Sequence, residues 1–149
     1  MYLQEEERNN AIALLFNEKC SCVVRREDTI RIFRRRGVRD LLQLLHEEPS
    51  FTAGAFIADK VVGKGAAALM VLCRFQEVFA DVISTPARRL LEEAKIHVRC
   101  SVEVPNIIDR TGTGICPVER LCSDCKTAEE CLPRIEKFVA DMTHAHKGA

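Results

Sequence analysis

The sequence predicts an α/β fold: a three-layer α/β/α arrangement around a mixed sheet, with a cysteine-rich helical C-terminal tail. Three observations carry that reading. A strand-like apolar run at residues 53–62 leads into glycines and a small-residue helix. A hairpin pattern precedes this unit, and two more strand patterns follow it with a helix between them. Four of the eight cysteines then fall after residue 115, among helical residues.

The elements follow in order. Residues 3–17 are helical in pattern: Ala11, Leu14, Leu15 and Glu18 are three or four apart, and Glu5, Glu6 and Glu7 suit the positive end of the helix dipole. Residues 20–25 and 29–34 read as two strands joined by a turn at Glu27-Asp28, a hairpin. In the second strand Ile30 and Ile32 oppose Arg31 and Phe33. The basic run Arg34-Arg35-Arg36 is either a phosphate contact or a solvated strand end before Gly37. Residues 38–47 form a helix that buries Leu41, Leu42, Leu44 and Leu45, and Pro49 marks its stop.

The stretch Asp59-Lys60-Val61-Val62-Gly63-Lys64-Gly65 is the strongest ligand candidate. It ends a strand and opens a helix whose first side chains are Ala66, Ala67 and Ala68. Glycines at 63 and 65 permit close approach of another group. Free N–H groups and the helix dipole favour an anion there, and Lys64 adds positive charge. Gly65 stands where a Walker A loop carries Ser or Thr, so the motif is not a P-loop. A plainer reading is that both glycines only let helix and strand pack closely.

Residues 77–84 are a further strand, and Ser84 or Thr85 caps a helix with Pro86 at its start and Leu90, Leu91 and Ala94 buried. Residues 96–104 close the sheet, with Val98, Cys100, Val102 and Val104 on one face. A flexible connection at 111–114 leads to helices at 116–122 and 128–144. The core is assigned to residues 1–106 and the cysteine-rich tail to 107–149, packed on the same domain.

Composition bounds the function. A chain of 149 residues supports one proper core. Its 22 basic and 22 acidic residues cancel, which argues against general nucleic-acid binding. The longest apolar run, residues 65–73, is too short to span a bilayer. The acidic opening does not read as a signal peptide, so a cytoplasmic location is expected, with no membrane partner.

The order of elements resembles an uncharacterised bacterial domain-of-unknown-function family with a cytidine-deaminase-like fold. The resemblance is carried by Asp59-Lys60-Val61-Val62-Gly63-Lys64, by Ser84-Thr85-Pro86-Ala87, and by Ile108-Asp109-Arg110-Thr111-Gly112 with Cys116-Pro117-Val118-Glu119. It implies a cleft between the starts of two helices. A zinc deaminase needs His (or Cys)-x-Glu on the first helix and Pro-Cys-x-x-Cys on the second. Here the first helix opens Gly63-Lys64-Gly65-Ala66-Ala67, and Ala87 and Leu90 stand where both thiolates belong. Zinc-dependent deamination is therefore not expected.

What the resemblance leaves is a cleft suited to a small anionic metabolite or nucleotide. Its expected contacts are Asp59, Lys60, Gly63, Lys64, Gly65, Ser84, Thr85 and Arg110. Whether the protein is an enzyme stays open. Cys116 precedes Pro117 as a helix N-cap, where the dipole favours a thiolate; with Glu119 as acid or base it is a candidate nucleophile. Alternatively Glu119 only caps that helix. Cys116, Cys122, Cys125 and Cys131 lie within sixteen residues and offer ligands for zinc or an iron–sulfur cluster. They equally suit packing of the tail, or a reversible Cys122–Cys125 disulfide.

Overall fold

The computed structural model describes residues 3–35, 37–108, 112 and 114–147. In chain order the elements are α1 (Glu5–Asn17), β1 (Cys22–Arg26), β2 (Thr29–Phe33), α2 (Arg39–Glu47), α3 (Pro49–Thr52), β3 (Phe56–Val62), α4 (Lys64–Leu72), β4 (Glu77–Ser84), α5 (Thr85–Glu93), β5 (His97–Val104), α6 (Pro117–Leu121) and α7 (Ala128–Lys147). One five-stranded sheet runs β2-β1-β3-β4-β5. The hairpin β1–β2 and the β1–β3 pair are antiparallel, whereas β3, β4 and β5 are parallel. The mixed α/β sheet expected from the element order is thus the observed one.

Glu27 takes a left-handed conformation (φ 53°) to close the hairpin in two residues. The parallel strands need crossovers, and α4 and α5 supply them. The small residues of α4 explain its position: Gly65, Ala66, Ala67 and Ala68 are all buried, so the backbone itself packs into the middle of the molecule. Helices α2, α4, α5 and α7 share one core with Val24, Ile57, Val78 and Ala80 of the sheet. On the opposite face α1 buries Ala11 and Leu15 against Val23, Phe56 and Ala58. An Arg8–Glu77 ion pair at 2.7 Å pins α1 to β4 and satisfies the buried Glu77 carboxylate.

Three local readings change. Pro49 does not simply stop α2; it opens α3, where a missing N–H costs nothing. Within α3 the Thr52 hydroxyl donates to the Cys73 carbonyl at 2.8 Å. On β5 only Val98, Cys100 and Val104 are part-covered, and Val102 is half exposed, because β5 is the sheet edge. Residues 109–111 and 113, and with them half of the expected flexible connection at 111–114, lie outside the described residues, as does Arg36 of the basic run. Among the described residues no helix is long and apolar enough to cross a membrane.

The tail joins the main core. Cys122, Cys125, Cys131 and Ile135 are buried with α4. Thr127 starts α7 by accepting the Glu130 N–H at 3.2 Å, while the Glu130 carboxylate takes the Lys126 N–H at 3.1 Å. This local capping aims the first turns of α7 at α4 despite Pro133 within the helix.

Candidate functional site

The starts of α4 and α5 do converge. Gly63 precedes α4 with an extended backbone and has no side chain to cap it. Ser84 precedes α5, and its hydroxyl oxygen accepts the Ala87 N–H at 3.2 Å. The anion between them belongs to the protein. One Glu119 oxygen accepts the Ser84 hydroxyl at 2.7 Å, and the other accepts the Lys64 N–H at 3.3 Å. Glu119 is 3% exposed. One N–H at the start of α4 and the Ser84 hydroxyl at the start of α5 hold this carboxylate where a free anion was expected.

That arrangement explains both glycines. A Cβ on Gly63 would lie 2.3 Å from a Glu119 oxygen, and one on Gly65 would lie 2.3 Å from Val118 Cγ1. Neither glycine has a positive φ, so the requirement is space rather than backbone angle. Both are covered by α6. Lys64 is also committed: its ammonium donates to the carbonyls of Ser123 and Cys125 and ties α4 to the loop after α6. Thr85 turns away, donating to Glu103 at 2.8 Å. Arg110 lies outside the described residues.

Asp59 and Lys60 part company because a strand alternates its faces. Asp59 lies opposite Cys22 of β1, on the face that carries Val24 and Ile57 into the main core. Lys60 follows on the α1 side, where its charge acts on Cys20. Asp59 is 8% exposed. Burial raises its pKa from 3.8 to about 7, opposed by the N–H groups of Val61 and Lys60. The Val61 N–H donates to it at 3.3 Å. Among the described residues no cationic side chain pairs with it.

A cleft of about 990 Å³ opens beside this strand end. Cys22 and Asp59 form its floor, Val38 and Leu41 of α2 one wall, and Cys116 and Val118 the other. Phe138 and Met142 of α7 overhang it. Val61, Ile108 and Met142 are large apolar residues left 41–55% exposed, and all three line this cleft. Lys19, Arg34 and Arg39 bring positive charge to its border. Asp40, also lining it, is neutralised by Arg35 at 2.6 Å. A mostly apolar hollow with one buried carboxyl, Asp59, that no other side chain engages among the described residues, and with a cationic border, has the make-up of a small-molecule site.

The sequence profile of the family described as "Domain of unknown function (DUF1893)" matches residues 10–139. The chain belongs to the DUF1893 family. A crystal structure of a DUF1893 family protein from Thermotoga maritima is similar to it, with a TM-score of 0.82 and 22% identity over 91% of this chain and 92% of that one. At that identity the likeness speaks for the shared fold. No curated protein matches the chain.

In this DUF1893 chain the tail thiols do not form the four-ligand set. Cys116 precedes α6 and Cys122 follows it, so roughly 9 Å of helical rise separates them. Cys122, Cys125 and Cys131 come together instead. All three are free thiols; a hydrogen bond between Cys131 and Cys122 raises the pKa of Cys131 and lowers that of Cys122, while burial raises that of Cys125. All three are buried in the core beside α4. Among the described residues no group of three or more Cys, His, Asp or Glu has the arrangement of a metal site. Three of the four thiols are thus packed in the core, and the fourth, Cys116, lines the cleft.

Glu119 and Cys116 also separate chemically. Both Glu119 oxygens are bonded across to α4 and α5, and among the described residues neither is bonded to Cys116. Glu119 stands at the third position of α6 but bridges other helices rather than closing a capping box. Sequence reasoning missed Cys22, Val118 and the α7 overhang as parts of the site. Only the pairing of β1 with β3 could have found Cys22, and antiparallel register is not written in either strand alone.

Proposed function

We propose that this DUF1893 protein binds a small anionic metabolite or nucleotide in the cleft floored by Asp59, without zinc-dependent deamination. The observation that carries the reading is the cleft itself: apolar walls, a size suited to a small molecule, and Lys19, Arg34 and Arg39 at its border. The anionic end of the ligand meets that cationic border. Gly63 and Gly65 line this cleft beside Glu119, whose carboxylate already takes the Lys64 N–H and the Ser84 hydroxyl.

A thermal-shift panel of nucleotides and small organic anions tests this. A ligand at a hundred times its Kd adds about 2.7 kcal/mol, enough for a shift of several degrees. The double variant Arg34→Glu/Arg39→Glu should lose at least tenfold in affinity for any hit. A panel without hits, or a hit indifferent to charge reversal, removes the proposal.

A second reading, a thiol-dependent enzyme using Cys116, draws on one observation. Cys116 is part-exposed at the cleft wall, whereas Cys20 and Cys22 in the same cleft are buried. Iodoacetamide at neutral pH should label Cys116 well before Cys122, Cys125 and Cys131. A bound hit should protect it at least tenfold in rate. Labelling of Cys116 at the same rate with and without the hit would exclude a substrate seated against this thiol.

A further inference from the structure

Asp59 has no structural task that accounts for it. It sits midway along β3 with 8% of its surface exposed, yet among the described residues it has no ion pair. Its hydrogen bonds come from N–H groups on its own strand, which an asparagine would equally accept. A carboxyl buried without a cation is costly and persists where another role requires it. Register assigns it a face: opposite Cys22, on the side of Val24 and Ile57, where the cleft lies. The other cleft carboxylates are occupied, Asp40 by Arg35 and Glu119 by Ser84 and the Lys64 N–H.

We infer that the Asp59 carboxyl is the polar recognition group of this cleft, accepting a hydrogen bond from an N–H donor on the ligand. Resting on the binding reading above, this narrows the ligand class to anions that also carry an amino, amidino or ring N–H group. The N–H end lies at the floor and the anionic end at the Arg34 and Arg39 border. A buried acceptor of this kind discriminates strongly, because a ligand lacking the donor leaves the carboxyl desolvated and unpaired. Burial also keeps Asp59 near its midpoint at neutral pH, where it can accept as a carboxylate or share its own proton with a basic nitrogen. The Cys22 thiol of β1 lies opposite it, and Cys116 and Glu119 line the same cleft. Asp40 of α2 and Lys60, the next residue of β3, line the same cleft, and the Lys60 charge also acts on Cys20.

Three probe pairs test the inference by calorimetry: guanosine monophosphate and adenosine monophosphate, each against ribose 5-phosphate, and glutamate against glutarate. Within each pair the second member keeps an anionic end and lacks the N–H donor. The expected result is that at least one N–H-bearing probe binds ten times or more tightly than its counterpart. Asp59→Leu should erase that preference, while Arg34→Glu/Arg39→Glu weakens both members of the pair. Circular dichroism melting confirms that each variant is folded, and Asp59→Asn supplies a second variant that keeps the shape of the side chain. A preference that survives in Asp59→Leu overturns the inference and leaves the binding reading intact. Equal affinity within every pair does the same. Binding of none of the probes overturns both.

Discussion

Replacing Gly65 with valine is expected to destabilise the protein by about 3 kcal/mol or more and to lift α6 from α4. Helix propensity alone gives the opposite sign, since any side chain in place of a helical glycine gains up to about 1 kcal/mol. Packing wins because the new Cβ would lie 2.3 Å from Val118 Cγ1 and 3.6 Å from Ile135 Cδ1. Val118 is β-branched in a helix, so its χ1 has little freedom to yield. The smaller change Gly65→Ala should cost about 1–3 kcal/mol, and Val118→Ala placed beside it should recover much of that loss. Urea denaturation of the single and double variants measures the coupling. Equal or higher stability of Gly65→Ala in an otherwise unchanged chain would mean that α6 does not rest on α4 in this way. Because Glu119 sits one residue beyond Val118, lifting α6 also withdraws the carboxylate from Ser84 and Lys64.

Asp59→Asn is expected to act in the opposite direction and to stabilise the protein at pH 8. The carboxyl pKa rises from 3.8 to about 7 on folding. Between these values the folded chain holds a proton that the unfolded chain has released, so stability falls as pH rises through that window. Above it the loss is complete, at most about 4 kcal/mol at 1.4 kcal/mol per pH unit. The asparagine keeps the Val61 N–H bond without the charge. Melting temperatures should therefore diverge most at pH 8 and converge towards pH 4. A variant less stable than the parent at pH 8 would show that Asp59 has a stabilising partner and is not held for another purpose. Stability gained together with binding lost is the signature of a residue kept for its ligand.

These expectations show where the sequence is informative. The Glu77–Ser84 strand, the Ser84 cap and the alanine-rich α4 follow from patterns a few residues long, because alternation, capping and small-residue packing are local properties. Gly63 and Gly65 were readable as points of close approach. What approaches them was not, since Glu119 arrives from 55 residues along the chain. The same limit applied to the tail. Cysteine spacing suggested four equivalent ligands, but α6 sets Cys116 and Cys122 at opposite ends of one helix.

By itself the sequence determined most of the elements, their order and the mixed sheet they imply, whereas the meeting of two helix starts at Gly63 and Ser84 was implied by the family resemblance. Periodicity and capping act within a turn or two of chain, so they can be read directly. Only the tertiary structure decided that this meeting place is filled by Glu119 and that the Lys64 ammonium is committed to the Ser123 and Cys125 carbonyls. It also decided that Asp59, opposite Cys22, lines a cleft to which Phe138 and Met142 of α7 contribute. Which group occupies a hollow depends on packing between distant segments, and no local pattern encodes that choice.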